Sequence, residues 1–409
     1  RWLIVAMRAE SHPTPPIAGD GTSLSAILQA VNSARSLRPS IQLAMATLVG
    51  VEGSSYRQPG ARLLIDVEQR VLAGAISGGC LEGDVASRAA DVCASNKPVM
   101  LRYDLREDLE TIWGFGAGCD GIAHILLEPL QNDKWLRDAQ AAMMKRSGAM
   151  LTTTIGASSE TGRLGQHEVI SALSAEAAAE LNGLGINTAQ PFVLTNVVDN
   201  DSNILMFEPL HAPVALHLIG AGRSAEAFAT IAAAMGWQVT IIDHRETMLR
   251  ELQLPATVKR LVRRAEQGIA DLALDSRTAI ALLTHIFEID SAWLKSLLPH
   301  PVSYVGVLGS RNRASRLVAQ LSSDGATIST EMHQRLFAPI GLDLGGESPE
   351  SIALAGIAEM EAVLHARPGG FLRSRQSPIH TRTPVPLILD TSVDATIEEC
   401  AVPFNQSLQ

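Results

Sequence analysis

Cysteine is scarce in this 409-residue sequence, and no two of its four cysteines are spaced as C-x-x-C. The absence of that spacing argues against a structural zinc site and against a thioredoxin-type redox motif. So few cysteines in so long a chain are typical of a reducing compartment. Long apolar runs are missing as well, since none reaches the roughly 20 residues that a transmembrane helix needs. We therefore expect a cytoplasmic protein without a membrane partner.

Basic residues are outnumbered, because 33 Lys and Arg against 43 Asp and Glu give a net charge of −10. This excess of negative charge disfavours nucleic acid and anionic membranes as partners. Charged residues are only 19% of the chain, and apolar residues reach 46%, a balance typical of a globular protein with a substantial core. The length allows two or three domains.

The most informative stretch is 213–245, which reads as strand, glycine turn, helix, strand and acid. Gly220 allows the tight turn, Gly222 lets a phosphate approach the backbone, and Ala225 lets the helix lie close to the strand. Asp243 can accept hydrogen bonds from both ribose hydroxyls, which favours NAD over NADP, although Arg245 partly offsets the negative charge of Asp243. A parallel-sheet turn that binds nothing is the alternative. The predicted nucleotide contacts are Gly220, Gly222, Arg223, Ala225 and Asp243.

Two arginines bracket a turn in the N-terminal half. Arg57 and Arg62 stand on either side of Pro59-Gly60, between two predicted strands. Guanidinium groups in such a turn suit a phosphate or oxoanion, and the alternative is a pair of solvated turn residues.

Two cysteines lie in glycine-rich turns. Cys80 follows a strand and two glycines and precedes a predicted helix, whose dipole lowers a thiol pKa. Cys119 follows three alternating glycines, a run that leaves backbone N–H groups open to an anion. We interpret both as thiolates suited to a soft metal or a sulfur ligand, with a structural role as the alternative. Cys119 is predicted to be the more important, and Cys93 is assigned to the core.

Later strands end at Thr284–His285 and Gly309–Arg311, so the same sheet edge collects their side chains. A lone histidine at a strand end is more often a support than an acid or base, and no catalytic residue is assigned. Ser348, followed by a proline, predicts the start of the last long helix. The predicted organisation is α/β: a leader over 1–20, an N-terminal mixed α/β domain over 21–210, a Rossmann-like doubly wound domain over 211–370, and a loosely ordered tail over 371–409.

Taken together, these motifs resemble the xanthine dehydrogenase accessory factor family, XdhC/CoxI. The resemblance spans residues 24–130 and 213–367. The stretches that carry it are 53–62, 77–84, 114–121, the fingerprint at Gly220, 304–311, and 338–345 with the helix that follows.

The resemblance implies a protein that binds the molybdenum cofactor (molybdopterin) and supports its sulfuration. It also implies insertion of the cofactor into a molybdenum hydroxylase of the xanthine or aldehyde dehydrogenase type. A homodimer and contact with a cysteine desulfurase are further implications. In this reading Arg57, Arg62, Cys80 and Cys119 contact the cofactor, with Cys119 at its molybdenum. The C-terminal domain binds NAD(P) or another nucleotide.

A rival interpretation is an NAD(P)-dependent oxidoreductase. The sequence shows no recognisable Tyr/Lys or His/Asp set for hydride transfer, and that reading gives the cysteine-bearing domain no role. We therefore favour a cofactor-binding accessory protein over a catalyst.

Overall fold

The computed structural model describes residues 22–53, 55–105, 121–157, 164–198, 201–297, 299–323, 329–376 and 397–399. The chain divides between His211 and Ala212 into two compact units, one residue beyond the boundary that the sequence suggests. Unit 1 holds the described residues up to His211 together with 397–399, and unit 2 holds the remainder. None of the helices in these ranges is both long and apolar enough to span a bilayer.

A six-stranded sheet forms the centre of unit 1, in the order β16-β4-β5-β1-β2-β3. Neighbouring strands of this sheet run antiparallel, except that β16 runs parallel to β4. Most of the central strand β1 is buried because both of its faces are covered. Residue 397 begins a strand here, where the sequence led us to expect a loosely ordered tail. The strands are β1 (Leu43–Gly53), β2 (Arg62–Asp66), β3 (Val71–Gly74), β4 (Val99–Asp104), β5 (Gly121–Pro129) and β16 (Ile397–Glu399).

The strands between residues 149 and 210, where the sequence shows no recognisable motif, form a second, four-stranded antiparallel sheet in unit 1, in the order β7-β6-β9-β8. Val49 and Leu126 of the first sheet share one apolar cluster with Ile155 and Ile204 of the second. The two sheets are therefore joined by a common core. The strands are β6 (Ala149–Ala157), β7 (His167–Ser171), β8 (Phe192–Val198) and β9 (Asp201–Leu210).

Helices of unit 1 cover its sheets with periodic apolar faces. In the first helix Ile27 and Val31 are fully buried, as the sequence periodicity predicts. The helix predicted after Cys80 is two short helices, because the helix is interrupted at Arg88. The helices are α1 (Thr22–Leu37), α2 (Glu82–Ser87), α3 (Ala89–Ser95), α4 (Lys134–Lys145) and α5 (Ala175–Gly183).

Unit 2 is built on a parallel six-stranded sheet in the order β12-β11-β10-β13-β14-β15. Counted from β10 this is the order 3-2-1-4-5-6 of the doubly wound dinucleotide-binding fold. The strand order reverses between β10 and β13, and ligands of this fold bind at that switch point. The Rossmann-like prediction is therefore confirmed. The strands are β10 (Ala215–Ile219), β11 (Gln238–Asp243), β12 (Lys259–Val262), β13 (Thr278–Leu282), β14 (Tyr304–Val307) and β15 (Leu336–Phe337).

Helices cover both faces of this sheet. The first and last long helices pack so closely that a Cβ at Gly356 would lie 2.5 Å from the ring of Phe228. The last helix begins as predicted, since the Ser348 hydroxyl accepts a hydrogen bond from the backbone N–H of Ser351 at 3.2 Å. The helices are α6 (Arg223–Ala234), α7 (Glu246–Glu251), α8 (Phe287–Leu297), α9 (Arg311–Ser323), α10 (Thr330–Arg335) and α11 (Pro349–Leu364), with 3-10 turns at Ala265–Gln267 and Leu372–Ser374.

Candidate functional site

Two of the loops singled out in the sequence meet in unit 1. The ring of Tyr56 lies against Gly78, where an added Cβ would be 3.6 Å from Tyr56 Cγ. The guanidinium carbon of Arg57 lies 5.8 Å from the centre of the same ring. Tyr56 is 64% exposed, Arg57 and Cys80 are also exposed, and Arg57 has no carboxylate partner among the described residues. The two touching loops thus offer an exposed guanidinium, an aromatic ring and a thiol.

The turn that carries Cys80 is fixed by a single carboxylate. Glu82 Oε1 accepts hydrogen bonds from the backbone N–H groups of Ile76 at 3.1 Å and Ser77 at 2.8 Å. Its Oε2 accepts from the Ser77 hydroxyl, whose oxygen in turn accepts from the backbone N–H of Gly79 at 3.0 Å. Burial raises the pKa of Glu82, but the hydrogen bonds from Ser77 and Ile76 outweigh it and leave the pKa below its ordinary value. The turn is therefore held by an ionised acid.

The acids that follow Cys80 are engaged by other partners. Glu82 points back to the turn, and Asp84 accepts from the Tyr103 hydroxyl at 2.5 Å and pairs with Arg88 at 3.1 Å. The exposed thiol is thus not a hydrogen-bond partner of either acid. Cys93 is half-buried on α3, where burial raises the pKa of its thiol, which agrees with its assignment to the core.

Cys119, the predicted molybdenum contact, lies outside the described residues together with the glycines that precede it. The first described residue that follows, Gly121, starts β5 and pairs with Gly53, the last residue of β1. Beside that pair His124 is buried and lies 3.0 Å from Glu52. Burial lowers the pKa of His124, although the Glu52 hydrogen bond opposes that shift. In the described part of the chain no three His, Cys, Asp or Glu side chains form a metal-binding group.

Arg62 does not lie on this surface as a free cation. Its side chain is fully buried, and its two Nη atoms donate to Glu208 Oε1 at 2.9 Å and Oε2 at 2.5 Å. The guanidinium also lies 5.7 Å from the centre of the Trp135 ring. Glu208 belongs to β9, so the pair ties the two sheets of unit 1 together. The prediction grouped Arg62 with Arg57, but a paired, dehydrated guanidinium is not available to an oxoanion.

A cleft of about 730 Å³ between α4, β5 and β7 is lined by none of the predicted site residues. Several of its polar side chains bond to one another. His167 Nε2 lies 2.9 Å from both carboxylate oxygens of Glu128, and its ring stacks on Trp135 at 4.0 Å. Lys134 pairs with Asp138 at 2.5 Å. These pairs hold the wall of the cleft.

The glycine turn of unit 2 has the geometry that the sequence predicts. Gly220 has φ of 112°, and a Cβ there would lie 2.9 Å from the backbone carbon of Leu283, directly after the neighbouring strand β13. Gly222 caps α6, and a Cβ added there would meet no atom within 4 Å. Ala225 is fully buried under the sheet, and Arg223 is exposed at the helix N-terminus. The turn leaves open space in front of α6, where the fold places a phosphate.

Asp243 is buried at the end of β11 and is bonded to its own neighbourhood. It accepts hydrogen bonds from Ala221 N at 2.8 Å and from Arg245 N at 2.9 Å. The Arg245 side chain adds two more, from Nε at 3.0 Å and Nη2 at 2.8 Å. Burial alone raises the pKa of Asp243, but the bonds from Arg245 and Ala221 outweigh it and lower the pKa to about 2.

A buried network joins the segments that follow β13 and β14. Thr284 donates to the fully buried Asp290 at 2.5 Å, and Asp290 pairs with Arg313 at 2.6 Å. His285 is exposed and has φ of 60°, a left-handed conformation that is uncommon outside glycine. Gly309 accommodates Arg313, since an added Cβ would lie 2.7 Å from Arg313 Cδ. The network fixes this edge of the sheet beside the glycine turn.

Each of the two units matches a known protein family model. Residues 37–104 match the family described as the XdhC and CoxI family, and residues 216–360 match the XdhC Rossmann domain. The chain belongs to the XdhC and CoxI family. The resemblance found in the sequence is therefore confirmed.

Family relatives cover most of the chain. A probable xanthine dehydrogenase subunit of Bacillus subtilis is 28% identical over 323 residues, which are 77% of this chain and 91% of the relative. The molybdenum cofactor insertion chaperone PaoD of Escherichia coli is 24% identical over 320 residues, 78% of this chain and 82% of PaoD. A crystal structure described as a xanthine dehydrogenase from Bacillus halodurans aligns with a TM-score of 0.64 at 22% identity. The alignment covers 86% of this chain and 97% of the chain in the crystal structure. At that identity it supports the fold alone.

Sequence reasoning missed four side chains that shape these two sites of the XdhC/CoxI chain. Tyr56 and Glu82 fall inside the motifs that carry the family resemblance, but neither side chain is among the predicted contacts. Glu208 and Arg245 are likewise absent from the predicted contacts. A local signal existed for Glu82, which stands five residues after a serine at a helix start. No local signal identifies Glu208 as the partner of Arg62.

Replacing Glu82 with alanine is expected to lower the free energy of unfolding by about 1.5–3 kcal/mol, because charge-assisted hydrogen bonds to the buried residues Ile76 and Ser77 are lost. We also expect alkylation of Cys80 to change in rate as the turn loosens. Chemical denaturation and timed alkylation with peptide mapping measure the two effects. Glu180→Ala, an exposed glutamate on α5, is the matched control and should leave both unchanged. A Glu82→Ala protein with wild-type stability would show that the carboxylate does not fix the turn.

Proposed function

We propose that this chain binds the molybdenum cofactor, supports its sulfuration, and inserts it into a molybdenum hydroxylase of the xanthine or aldehyde dehydrogenase type. The cofactor is cargo in this proposal and is not a resident catalytic group. The name of PaoD, a relative described as a molybdenum cofactor insertion chaperone, supports the proposal. So does the name of the Bacillus subtilis relative, which describes it as part of a probable xanthine dehydrogenase. A homodimer and contact with a cysteine desulfurase belong to the same proposal.

The observation that carries the proposal is the surface formed by Tyr56, Arg57 and the turn of Cys80. The cargo combines a flat pterin, a phosphate and a sulfur-ligated metal, so it needs three kinds of contact. An exposed aromatic ring suits the pterin, an exposed guanidinium suits the phosphate, and a thiol suits soft sulfur and metal chemistry. All three types occur on one joined pair of loops.

The preorganisation of that surface also supports binding. The Ser77–Glu82 hydrogen bonds hold the cysteine turn, and Tyr56 packs against that turn through Gly78. A site that is already ordered loses less entropy when the cargo binds. The exposure of the three side chains leaves room for the cargo to be passed to a second protein.

The rival, an NAD(P)-dependent oxidoreductase, rests on unit 2 alone. Both interpretations propose NAD(P) or another nucleotide at the glycine turn, and they differ in whether it is turned over. An accessory protein holds the nucleotide without oxidising or reducing it. Loss of nicotinamide absorbance from NAD(P)H with an added electron acceptor would favour the oxidoreductase.

Variants of Arg57 and Cys80 test the cargo site. Arg57→Ala is expected to weaken cofactor binding by about 1.5–3 kcal/mol through loss of a charge-assisted contact. Cys80→Ser should reduce both cofactor retention and activation of a partner hydroxylase. Protein purified from a cofactor-producing host is assayed for molybdenum, for pterin fluorescence and for hydroxylase activation. The sequence-predicted Cys119→Ser variant belongs in the same series.

Matched controls keep this test specific. Lys97→Ala removes one exposed cation, and Cys93→Ser removes the half-buried thiol of α3. Both should retain and deliver the cofactor as the unaltered chain does. If Arg57→Ala and Cys80→Ser behave like these controls, the proposed surface is not the cargo site.

A further inference from the structure

The carboxylate of Asp243 has no acceptor site left for a ligand. A carboxylate offers about four lone-pair positions to donors. Oδ1 is taken by the backbone N–H and Nε of Arg245, and Oδ2 by Ala221 N and Arg245 Nη2. His244 Nδ1 lies a further 3.4 Å from Oδ1. A ribose diol, which must donate to this acid, would have to displace Arg245 first.

Arg245 presents the opposite chemistry at the same place. A guanidinium carries five N–H donors and no acceptor, and the bonds to Asp243 use only two of them. The side chain is 41% exposed, so the remaining donors can reach a ligand. Because Asp243 Oδ2 is shared by Arg245 and Ala221, the guanidinium lies beside the glycine turn. The low pKa of Asp243 keeps this ion pair intact at neutral pH.

Arginine in this arrangement is held in place before any ligand arrives. Two side-chain bonds and one backbone bond to the same carboxylate fix both the fork and the main chain of Arg245. A fixed, donor-only cation favours a doubly charged phosphomonoester over a neutral diol. Arg223 adds a second exposed cation at the first position of α6.

We propose that unit 2 binds a dinucleotide phosphorylated on its ribose, of the NADP(H) class, with the 2′-phosphate on Arg245. The proposal rests on nucleotide binding by unit 2, proposed above, and it specifies the ligand. It reverses the preference for NAD suggested by Asp243 in the sequence. Asp243 is then a positioning residue that orients Arg245 and the glycine turn and does not contact the ribose.

Calorimetric titration of the full chain with NADPH and NADH tests the proposal. NADPH is expected to bind at least tenfold more tightly than NADH, and 2′,5′-ADP at least tenfold more tightly than 5′-ADP. The ADP pair separates a ribose 2′-phosphate from any other phosphoryl group, including the terminal phosphate of molybdopterin.

Variants of Arg245 sharpen the test. Arg245→Ala should weaken NADPH binding at least tenfold and strengthen NADH binding, because it frees the oxygens of Asp243 and removes the cation. Arg245→Lys keeps a charge but loses the fork, so its preference for NADPH should be intermediate. Arg250→Ala, a more exposed arginine on α7, should leave both affinities unchanged. Circular dichroism confirms that each variant is folded.

Two results would overturn the proposal in distinguishable ways. Equal affinity for NADPH and NADH, or a preference that Arg245→Ala leaves intact, would overturn the 2′-phosphate assignment while nucleotide binding stands. Absence of binding by every nucleotide would overturn nucleotide binding by unit 2 as well. Neither result bears on the molybdenum cofactor surface of unit 1, which is assayed separately.

Discussion

Glu208→Ala is expected to lower the free energy of unfolding by about 3–5 kcal/mol, because it leaves the buried guanidinium of Arg62 without its ion-pair partner. The Arg62 side chain has no exposed surface, and both of its Nη atoms donate to Glu208. In the described part of the chain its Nε atom has no partner at all. Without Glu208 the guanidinium keeps the Gly60 carbonyl as an acceptor, but no described carboxylate balances its charge. Urea denaturation followed by circular dichroism measures the loss.

The double variant Arg62→Met/Glu208→Leu is the control for this result. Removing both charges and keeping apolar volume should recover most of the stability, since a buried pair gains little net energy over apolar packing. Glu68→Ala, an exposed partner of Arg38, should cost no more than about 1 kcal/mol. If Glu208→Ala remained within about 1 kcal/mol of the unaltered chain, Arg62 would have to reach solvent, and its role as an oxoanion ligand would stand again.

The second large effect is expected at the glycine turn, where two glycines should respond in opposite ways. Gly220→Ala places a Cβ 2.9 Å from the backbone of Leu283 at φ of 112°. Strain and overpacking together should cost about 2–4 kcal/mol of stability. Gly222→Asp meets open space at ordinary φ, so the fold should remain stable within about 1 kcal/mol. Its carboxylate occupies the phosphate position, and nucleotide affinity should fall by roughly a hundredfold or more.

Denaturation and calorimetry with NAD, NADP, ATP and CTP separate these two outcomes. Gly370→Asp adds the same charge at an open glycine of unit 2 away from the turn and should change neither quantity. A Gly222→Asp protein that binds nucleotide normally would show that the turn does not hold phosphate. A fully stable Gly220→Ala protein would show that the turn is not packed as the structure has it.

Much of unit 2 follows from local sequence signals. The glycine spacing, the β-branched strands and the Ser348 cap act over a few residues, so the strands at Ala215–Ile219 and Gln238–Asp243 and the last helix fall close to their predicted positions. The parallel order follows because helices alternate with strands and connect them in one hand. Local pattern and global fold agree here, which is why the prediction holds.

The candidate sites depend on pairings that sequence cannot show. Arg57 and Arg62 flank the same glycine, and what distinguishes them is Glu208, 146 residues further along the chain than Arg62. Asp243 lies where a ribose-binding acid is expected, but the side-chain geometry of Arg245 decides whether its oxygens are free. Such choices depend on tertiary packing and rotamers, for which a single sequence carries no periodic signal.

The four-stranded sheet of unit 1 cannot be predicted from the sequence for a related reason. The strand β6 pairs with β9 across the intervening β7, α5 and β8, and its register depends on the core that these strands share with the first sheet. Non-local pairing of this kind leaves only short apolar runs in the sequence. The Tyr56–Gly78 contact is similar, since it joins two turns separated by a pair of strands.

The central claim is that this chain binds the molybdenum cofactor. Its most direct test is metal and pterin analysis of the full chain, purified without its partner from a host that makes the cofactor. We expect molybdenum and pterin to co-purify with the chain in equal amounts and to decline together in Arg57→Ala and Cys80→Ser. Protein free of both, from a host in which PaoD purified in parallel carries cofactor, would contradict the claim.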